Sequence, residues 1–213
     1  MDDKLNSVET NLIGLKENVI NNYKIMIKKP TFSFVLIARN EEKTLSRLLK
    51  SLDEFKSRGG EVALLDTGSS DKTAEVARTW GAIVEEVGDK FLTTISADVA
   101  TKMNKHFVVD DEENVVAAEG DKLFDFAAAR NHASKMSSND FIWMPDCDEV
   151  FTKLDIDVIQ GEIDKGADQL EYNFVFSHDE FGAEAIKFTH SKAYDRRKLK
   201  WRGVIHECLV NID

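Results

Sequence analysis

The sequence predicts an α/β fold with a central, mainly parallel sheet flanked by helices. Three observations carry that expectation. Between residues 31 and 85, apolar runs of strand length alternate with segments of helical period. The links between them are short, with Gly and Ser at the turns. The chain has 213 residues, 42% hydrophobic and 31% charged with only 2 Pro, which allows a sizeable core and excludes a disordered or low-complexity chain.

Leu5, Val8, Leu12, Leu15 and Val19 recur at spacings of three and four, which predicts an N-terminal amphipathic helix within residues 1–30. That stripe suits packing on the domain, and it also suits a short dimerising helix and hence an oligomer. Pro30 ends the segment, because proline cannot continue a helix. Residues 32–38 are a near-continuous apolar run, the mark of a strand buried on both faces. Residues 41–55 carry Leu45, Leu48, Leu49 and Leu52 at helical spacing and are closed by Gly59-Gly60. A second strand at 61–66, a second helix at 71–80 and a third strand at 82–85 follow. Residues 91–103 read as helical, 106–118 as a hairpin turning at 110–114, 124–136 as a helix and 141–144 as a short buried strand. Beyond residue 165 the pattern is strand-rich, with 169–176, 185–190 and 204–210 extended. No linker or internal repeat divides the chain, so residues 1–213 form one domain. Its last strand runs to Asp213 without a polar tail, as expected of a domain cut from a longer polypeptide.

The balance of 28 Lys+Arg against 39 Asp+Glu gives a net charge of −11, which repels phosphate backbones and argues against a nucleic-acid partner. Any phosphorylated ligand therefore calls for a cation, most simply a metal ion. Cys147 and Cys208 make neither a disulfide scaffold nor a zinc site alone, and point to a reducing, cytoplasmic setting. Met1-Asp2-Asp3-Lys4 lacks the basic start of a signal peptide, and no apolar run is long enough for a membrane span.

The chemistry concentrates at strand ends. In Trp143-Met144-Pro145-Asp146-Cys147-Asp148-Glu149, two carboxylates spaced i, i+2 leave the carboxyl end of a buried strand, where open α/β sheets place their ligands. Hard oxygen donors there suit Mg²⁺ or Mn²⁺, which take one or two carboxylates and then phosphate oxygens. The same residues also fit a charged loop with a helix cap. Asp66 ends the second strand ahead of the Thr67-Gly68-Ser69-Ser70-Asp71 turn, and Ser69, Ser70 or Asp71 is expected to cap the next helix.

Ile37-Ala38-Arg39-Asn40-Glu41-Glu42, Asp66-Thr67-Gly68-Ser69-Ser70-Asp71-Lys72-Thr73, Ala129-Arg130-Asn131-His132-Ala133 and Asp146-Cys147-Asp148-Glu149 occur in that order. This series, covering roughly residues 31–150, resembles the nucleotide-sugar glycosyltransferases of the GT-A fold, family 2 type. The segment Trp201-Arg202-Gly203-Val204-Ile205-His206-Glu207 is similar to the His-Glu ending of the subgroup that builds lipopolysaccharide core sugars. The resemblance implies a Rossmann-like GT-A sheet, with 31–150 as the nucleotide-binding half and 151–213 as the acceptor-side half. It implies a hexosyltransferase that takes a UDP-sugar or related donor and a glycan acceptor. Ala38, Arg39, Asn40 and Glu41 would line the nucleotide pocket, Asp66 would contact the base, and Arg130 would reach toward the nucleotide. Asp146 and Cys147 would lie at the nucleotide sugar, with Asp146 and Asp148 at a Mn²⁺ or Mg²⁺ ion. Many relatives have Asp-Asp before the Gly-Ser turn; Thr67 stands in the second place here, which puts uridine specificity in question.

His206 fits either a metal or phosphate ligand or a structural histidine; His106, His132, His178 and His190 read as structural first. An inverting transferase needs a general base, for which Glu207, Asp179 and Asp213 are candidates, in that order. Arg196, Arg197 and Arg202 suit phosphate pairing or plain surface charge. Two rival readings compete: the Asp-x-Asp nucleophile loop of haloacid-dehalogenase-like phosphatases, and a non-catalytic nucleotide-sugar or glycan binding module.

Overall fold

The computed structural model describes residues 28–106, 108–109, 112–113, 117–204 and 207–212. The expected N-terminal helix, His206 and Asp213 lie outside them.

Strand β1 (Phe32–Ala38) is the centre of the sheet, and its sequence shows why. Phe32, Phe34, Leu36 and Ala38 pack into one core layer, whereas Val35 and Ile37 pack into the other. The chain then makes α1 (Glu42–Ser51) and α2 (Asp53–Ser57), which bury Leu45, Leu48, Leu49, Leu52 and Phe55 on the first layer. The predicted single helix is broken at Leu52, which joins the two. Next come β2 (Glu61–Asp66), α3 (Thr73–Trp80) and β3 (Ile83–Glu86). Gly81 closes α3 in the left-handed conformation (φ 105°), returning its N–H to Ala77 and Arg78.

Residues 91–103 differ from expectation. They form β4 (Leu92–Thr94) and only then α4 (Ala97–His106). The small strand is satisfied by a distant partner that no local pattern announces: after β5 (Val108–Val109) and β6 (Glu112–Glu113), the expected hairpin, it pairs with β7 (Lys122–Phe124). Helix α5 (Phe126–Ala133) starts at Asp125, whose carboxylate accepts from Ala128 N–H at 2.8 Å. Strand β8 (Phe141–Trp143) follows, then α6 (Ile156–Asp164), capped in the same way by Asp155. The chain ends in β9 (Gln169–His178), β10 (Glu184–Asp195), β11 (Leu199–Arg202) and β12 (Cys208–Asn211).

The main sheet has the order β3-β2-β1-β8-β10-β9. The first four strands are parallel and the last two antiparallel, so the expected mixed, mainly parallel sheet flanked by helices is borne out. Successive parallel strands run outward from β1 on one side, and β8 lies on the other. The gap between β1 and β8 is thus a topological switch point, where loops diverge and leave a crevice beyond the strand ends. No described helix is long and apolar enough to cross a membrane.

At the amino ends of the strands, Glu61 ties β1, β2 and the turn before β8 together. It accepts from Ser33 Oγ (2.9 Å), Ser138 N–H (2.8 Å) and Ser138 Oγ (2.6 Å). Burial pushes this carboxyl up, but the serine hydrogen bonds outweigh burial and hold it below its ordinary value. Such a group stabilises the fold above its unfolded pKa, about 4.3, and loses that contribution as pH falls through the lower folded value. Glu61→Gln should therefore melt lower than the unaltered chain at neutral pH, with the gap closing by about pH 3 in a series of thermal melts. Gly60 admits no side chain, since a Cβ there overlaps the Phe55 ring. Gly60→Ala should cost about 1–3 kcal/mol, read from the midpoint of denaturant unfolding.

Candidate active site

A cleft of about 480 Å³ opens at the carboxyl ends of β1, β2 and β8, within the size range of small-molecule sites. Its lining includes Ala38, Arg39, Glu41, Thr67, Phe124, Phe126, Arg130, Asp146, Cys147 and Asp148. Four motifs far apart in sequence meet here, at the switch point of the sheet.

The loops after β1 and β2 are zipped together. Asn40 takes a left-handed backbone conformation (φ 58°), which asparagine tolerates better than most residues. Its N–H donates to Ser69 Oγ (2.9 Å) and its Oδ1 accepts from Ser70 N–H (2.8 Å). Glu41 N–H donates to Thr73 Oγ1 (2.7 Å), and Glu42 N–H to Asp71 Oδ2 (3.2 Å). Thr67 points both its N–H and its hydroxyl at the Ala38 carbonyl, at 2.9 and 3.0 Å. Ser69 and Ser70 thus serve the loop and not the helix. Lys72 is the N-terminal flank of α3, with no side-chain cap, while Asp71 accepts from Thr73 N–H at 3.0 Å. Arg39 reaches over the cleft rim to Asp89 at 3.3 Å.

Asp66 lies beneath this loop and does not line the cleft. Its Oδ1 accepts from Gly68 and Ser69 N–H at 2.9 and 2.7 Å. Its Oδ2 is buried with no hydrogen-bond partner among the described residues, an unsatisfied acceptor of the kind native interiors rarely keep.

On the far side of the cleft, Arg130 projects from α5 and is 6% exposed. Its Nε donates to Glu207 at 2.7 Å and its NH2 group to Asp146 Oδ1 at 2.9 Å. The guanidinium lies 5.0 Å from the Trp201 ring centroid, a cation–π contact. Lys192 donates to Asp146 Oδ2 and to Glu149 Oε1, the latter at 2.8 Å. Burial pushes the Asp146 carboxyl up, but Lys192 and Arg130 outweigh it and hold it below the ordinary carboxylate value. Glu149 keeps the opposite balance: burial dominates over Lys192 and raises it. Cys147 is buried, its thiol directed at the Ile37 carbonyl (3.5 Å), and burial pushes it well up, which makes it a packed side chain and not a nucleophile.

Asp148 is exposed on the cleft wall and Asp146 is half-exposed. Among the described residues no three His, Cys, Asp or Glu side chains converge on a metal position. The donor set still fits Mg²⁺ or Mn²⁺, because such ions need only one or two carboxylates when a ligand's phosphates complete the shell.

Glu207 belongs to this cluster through Arg130, whereas Asp179 does not. Asp179 sits at the tip of the β9–β10 hairpin and accepts from Phe181 and Ala183 N–H, a turn-forming role. Arg196 and Arg197 pair with Asp140 and Asp195 at the amino end of β8, the opposite end of the sheet from the cleft. His132 pairs with Glu85 (2.9 Å) and packs on Phe91, in keeping with a structural role. Lys192, Glu149, Phe124 and Phe126 are the site residues that sequence reasoning missed. Lys192 carries no local signal, since its placement depends on a strand irregularity.

An open sheet with a cleft of mixed apolar and charged lining at its switch point defines a domain that takes its ligand beyond the strand ends. Comparison with known proteins adds a chemical class. No family model matches the chain. Over 57 residues, 27% of this chain and 15% of the relative, it is 47% identical to the 4,4'-diaponeurosporenoate glycosyltransferase of Staphylococcus haemolyticus, so the match spans a small part of that protein. This similarity and the resemblance carried by the four motifs agree. Among solved structures, S. aureus TarS 1-349 aligns at 20% identity over 63% of this chain and 32% of that one, with a TM-score of 0.42. Glucosyl-3-phosphoglycerate synthase from Mycobacterium tuberculosis, solved with Mn²⁺, UDP and glucosyl-3-phosphoglycerate, aligns at 24% identity over 55% and 33% of the two chains, with a TM-score of 0.35.

The Asn40 bridge yields a direct check. Asn40→Ala removes the acceptor of Ser70 N–H and places alanine in a left-handed conformation. It should cost about 1–2 kcal/mol in denaturant unfolding and raise protease sensitivity in residues 67–71. Unchanged stability and cleavage would show that the two loops hold their shape independently.

Proposed function

We propose that the chain is a glycosyltransferase domain of the GT-A, family 2 type. It moves a sugar from a UDP-sugar, or a related nucleotide sugar, to a hydroxyl of a glycan acceptor with inversion. The observation that carries this reading is the convergence of residues 38–41, Thr67, Arg130 and 146–148 on one cleft at the β1/β8 switch point. The 57-residue similarity to a glycosyltransferase supports it.

In this reading the loop 38–41 holds the nucleoside, and Asp66, expected at the base, shapes that pocket from beneath through the Gly68–Ser69 turn. Thr67 replaces a carboxylate with a neutral hydroxyl, which loosens the demand for uracil. Asp146, held by Arg130, offers its remaining lone pairs to the ribose hydroxyls. Asp148, exposed and close by, holds Mn²⁺ or Mg²⁺, with Asp146 as its neighbour and His206 as a third candidate ligand. When bound, that ion offsets the charge that develops on the departing diphosphate. Glu207 accepts the proton of the attacking acceptor hydroxyl, because of the two leading candidate bases it alone belongs to the cluster.

A phosphatase of the Asp-x-Asp type would also set a lysine against its first aspartate, and Lys192 does so here. Both oxygens of Asp146, however, accept from cations, which draws electron density away from a would-be nucleophile.

Incubation with UDP-sugars should release UDP only with Mn²⁺ or Mg²⁺ present, and EDTA should stop it. Asp148→Ala should lower that release by at least about a hundredfold while the thermal melt stays unchanged. Undiminished release by Asp148→Ala would remove the metal assignment, and inorganic phosphate released from sugar phosphates would favour the phosphatase.

A further inference from the structure

The proposed reading leaves one buried cation without a task. Lys192 is 13% exposed at its side chain, near the end of β10, where the strand passes from exposed to buried. The strand is irregular at this point: His190 pairs with Tyr172 and Ala193 with Leu170, so three steps on β10 face two on β9. Such a bulge re-aims a side chain, and bulges gather next to active sites. Here the backbone is fixed by Met144 N–H donating to the Lys192 carbonyl at 2.9 Å. The ammonium is shared between Asp146, which faces the cleft, and Glu149, which is buried. Glu149 N–H in turn donates to the Asp146 carbonyl at 3.1 Å, which closes the turn.

Resting on the proposed donor site, we propose that Lys192 is a positioning residue for nucleotide binding: anchored by Glu149, it fixes the Asp146 carboxylate in the orientation that accepts the ribose hydroxyls of the donor. Arg130 holds one oxygen from the helix side and Lys192 holds the other from the strand side. With either oxygen released, a half-exposed aspartate turns about its side-chain bonds and must be reordered on binding. Glu149 is the counter-charge that keeps the ammonium from leaving toward solvent. Its burial matters because a buried charge is retained only when paired.

The test uses the full chain and calorimetric titration at saturating Mn²⁺, with UDP and with 2',3'-dideoxy-UDP. Lys192→Met alone strands Glu149 as a buried, unpaired charge, and its melt reports on the fold. The double variant Lys192→Met/Glu149→Gln removes one charge of each sign, leaves Arg130 on Asp146 and keeps the net charge of the cluster. In that double variant the Kd for UDP should rise about tenfold or more, with a melt close to that of the unaltered chain. The Kd for 2',3'-dideoxy-UDP should move little, because the hydroxyls that Asp146 accepts from are missing. Equal losses for both nucleotides would show a purely structural lysine and overturn the proposal, as would no loss for either. Failure of the unaltered chain to bind UDP would overturn the donor site itself, a distinct outcome from either of these.

Discussion

The buried guanidinium of Arg130 is the interaction on which the site depends. It comes from α5, between a helix that the sequence makes apolar with Ala127, Ala129 and Ala133 and the cleft that the same helix borders. Its partners come from elsewhere: Asp146 from the loop after β8, Glu207 from the approach to β12, and Trp201 from β11. The next residue, Asn131, exchanges two hydrogen bonds with the Trp201 backbone, at 2.8 and 2.9 Å. One helical turn thus docks the C-terminal hairpin and orders a cleft carboxylate together. Loss of one partner from such a buried ion pair costs roughly 3–5 kcal/mol, so the cluster is held as a unit.

The net charge of −11 looks hostile to a phosphorylated ligand, yet cations stand among the carboxylates of the cleft. Arg130 and Lys192 lie behind Asp146, and Arg39 stands at the rim. The carboxylates that face the cleft are therefore either neutralised from behind, as Asp146 is, or exposed and free to recruit a cation, as Asp148 is. Much of the remaining acidity is spent on local architecture: Asp125 and Asp155 cap helices, Glu61 joins the strand starts, and Asp66 shapes the Gly68–Ser69 turn.

Most of the parallel half was legible, because each strand there is a short apolar run next to a helix with its own period. Residues 32–38 and 61–66 match β1 and β2 residue for residue. The two strands that went unread are satisfied by partner strands and not by a pattern of their own. Strand β4 is satisfied by β7, some thirty residues later, and β11 by β12 across the Gly203 turn, where only the second strand of the pair was expected. The motif residues were legible as a set, and the fold gathers Ala38, Arg39, Glu41, Arg130, Asp146, Cys147 and Asp148 at one place. Their division of labour was not legible. Asp66 turned out to lie under the loop, Asp179 to shape a hairpin tip, and Lys192 to enter through a bulge that no sequence pattern records.

The central claim is that one cleft, walled by four segments distant in sequence, binds a nucleoside diphosphate. Hydrogen exchange with and without UDP and Mn²⁺ tests it most directly. Protection should appear together in residues 37–41, 66–73, 126–131 and 144–149, with the far ends of the strands unchanged. Protection confined to other surfaces, such as the β9–β10 hairpin, or no protection at saturating UDP, would contradict it.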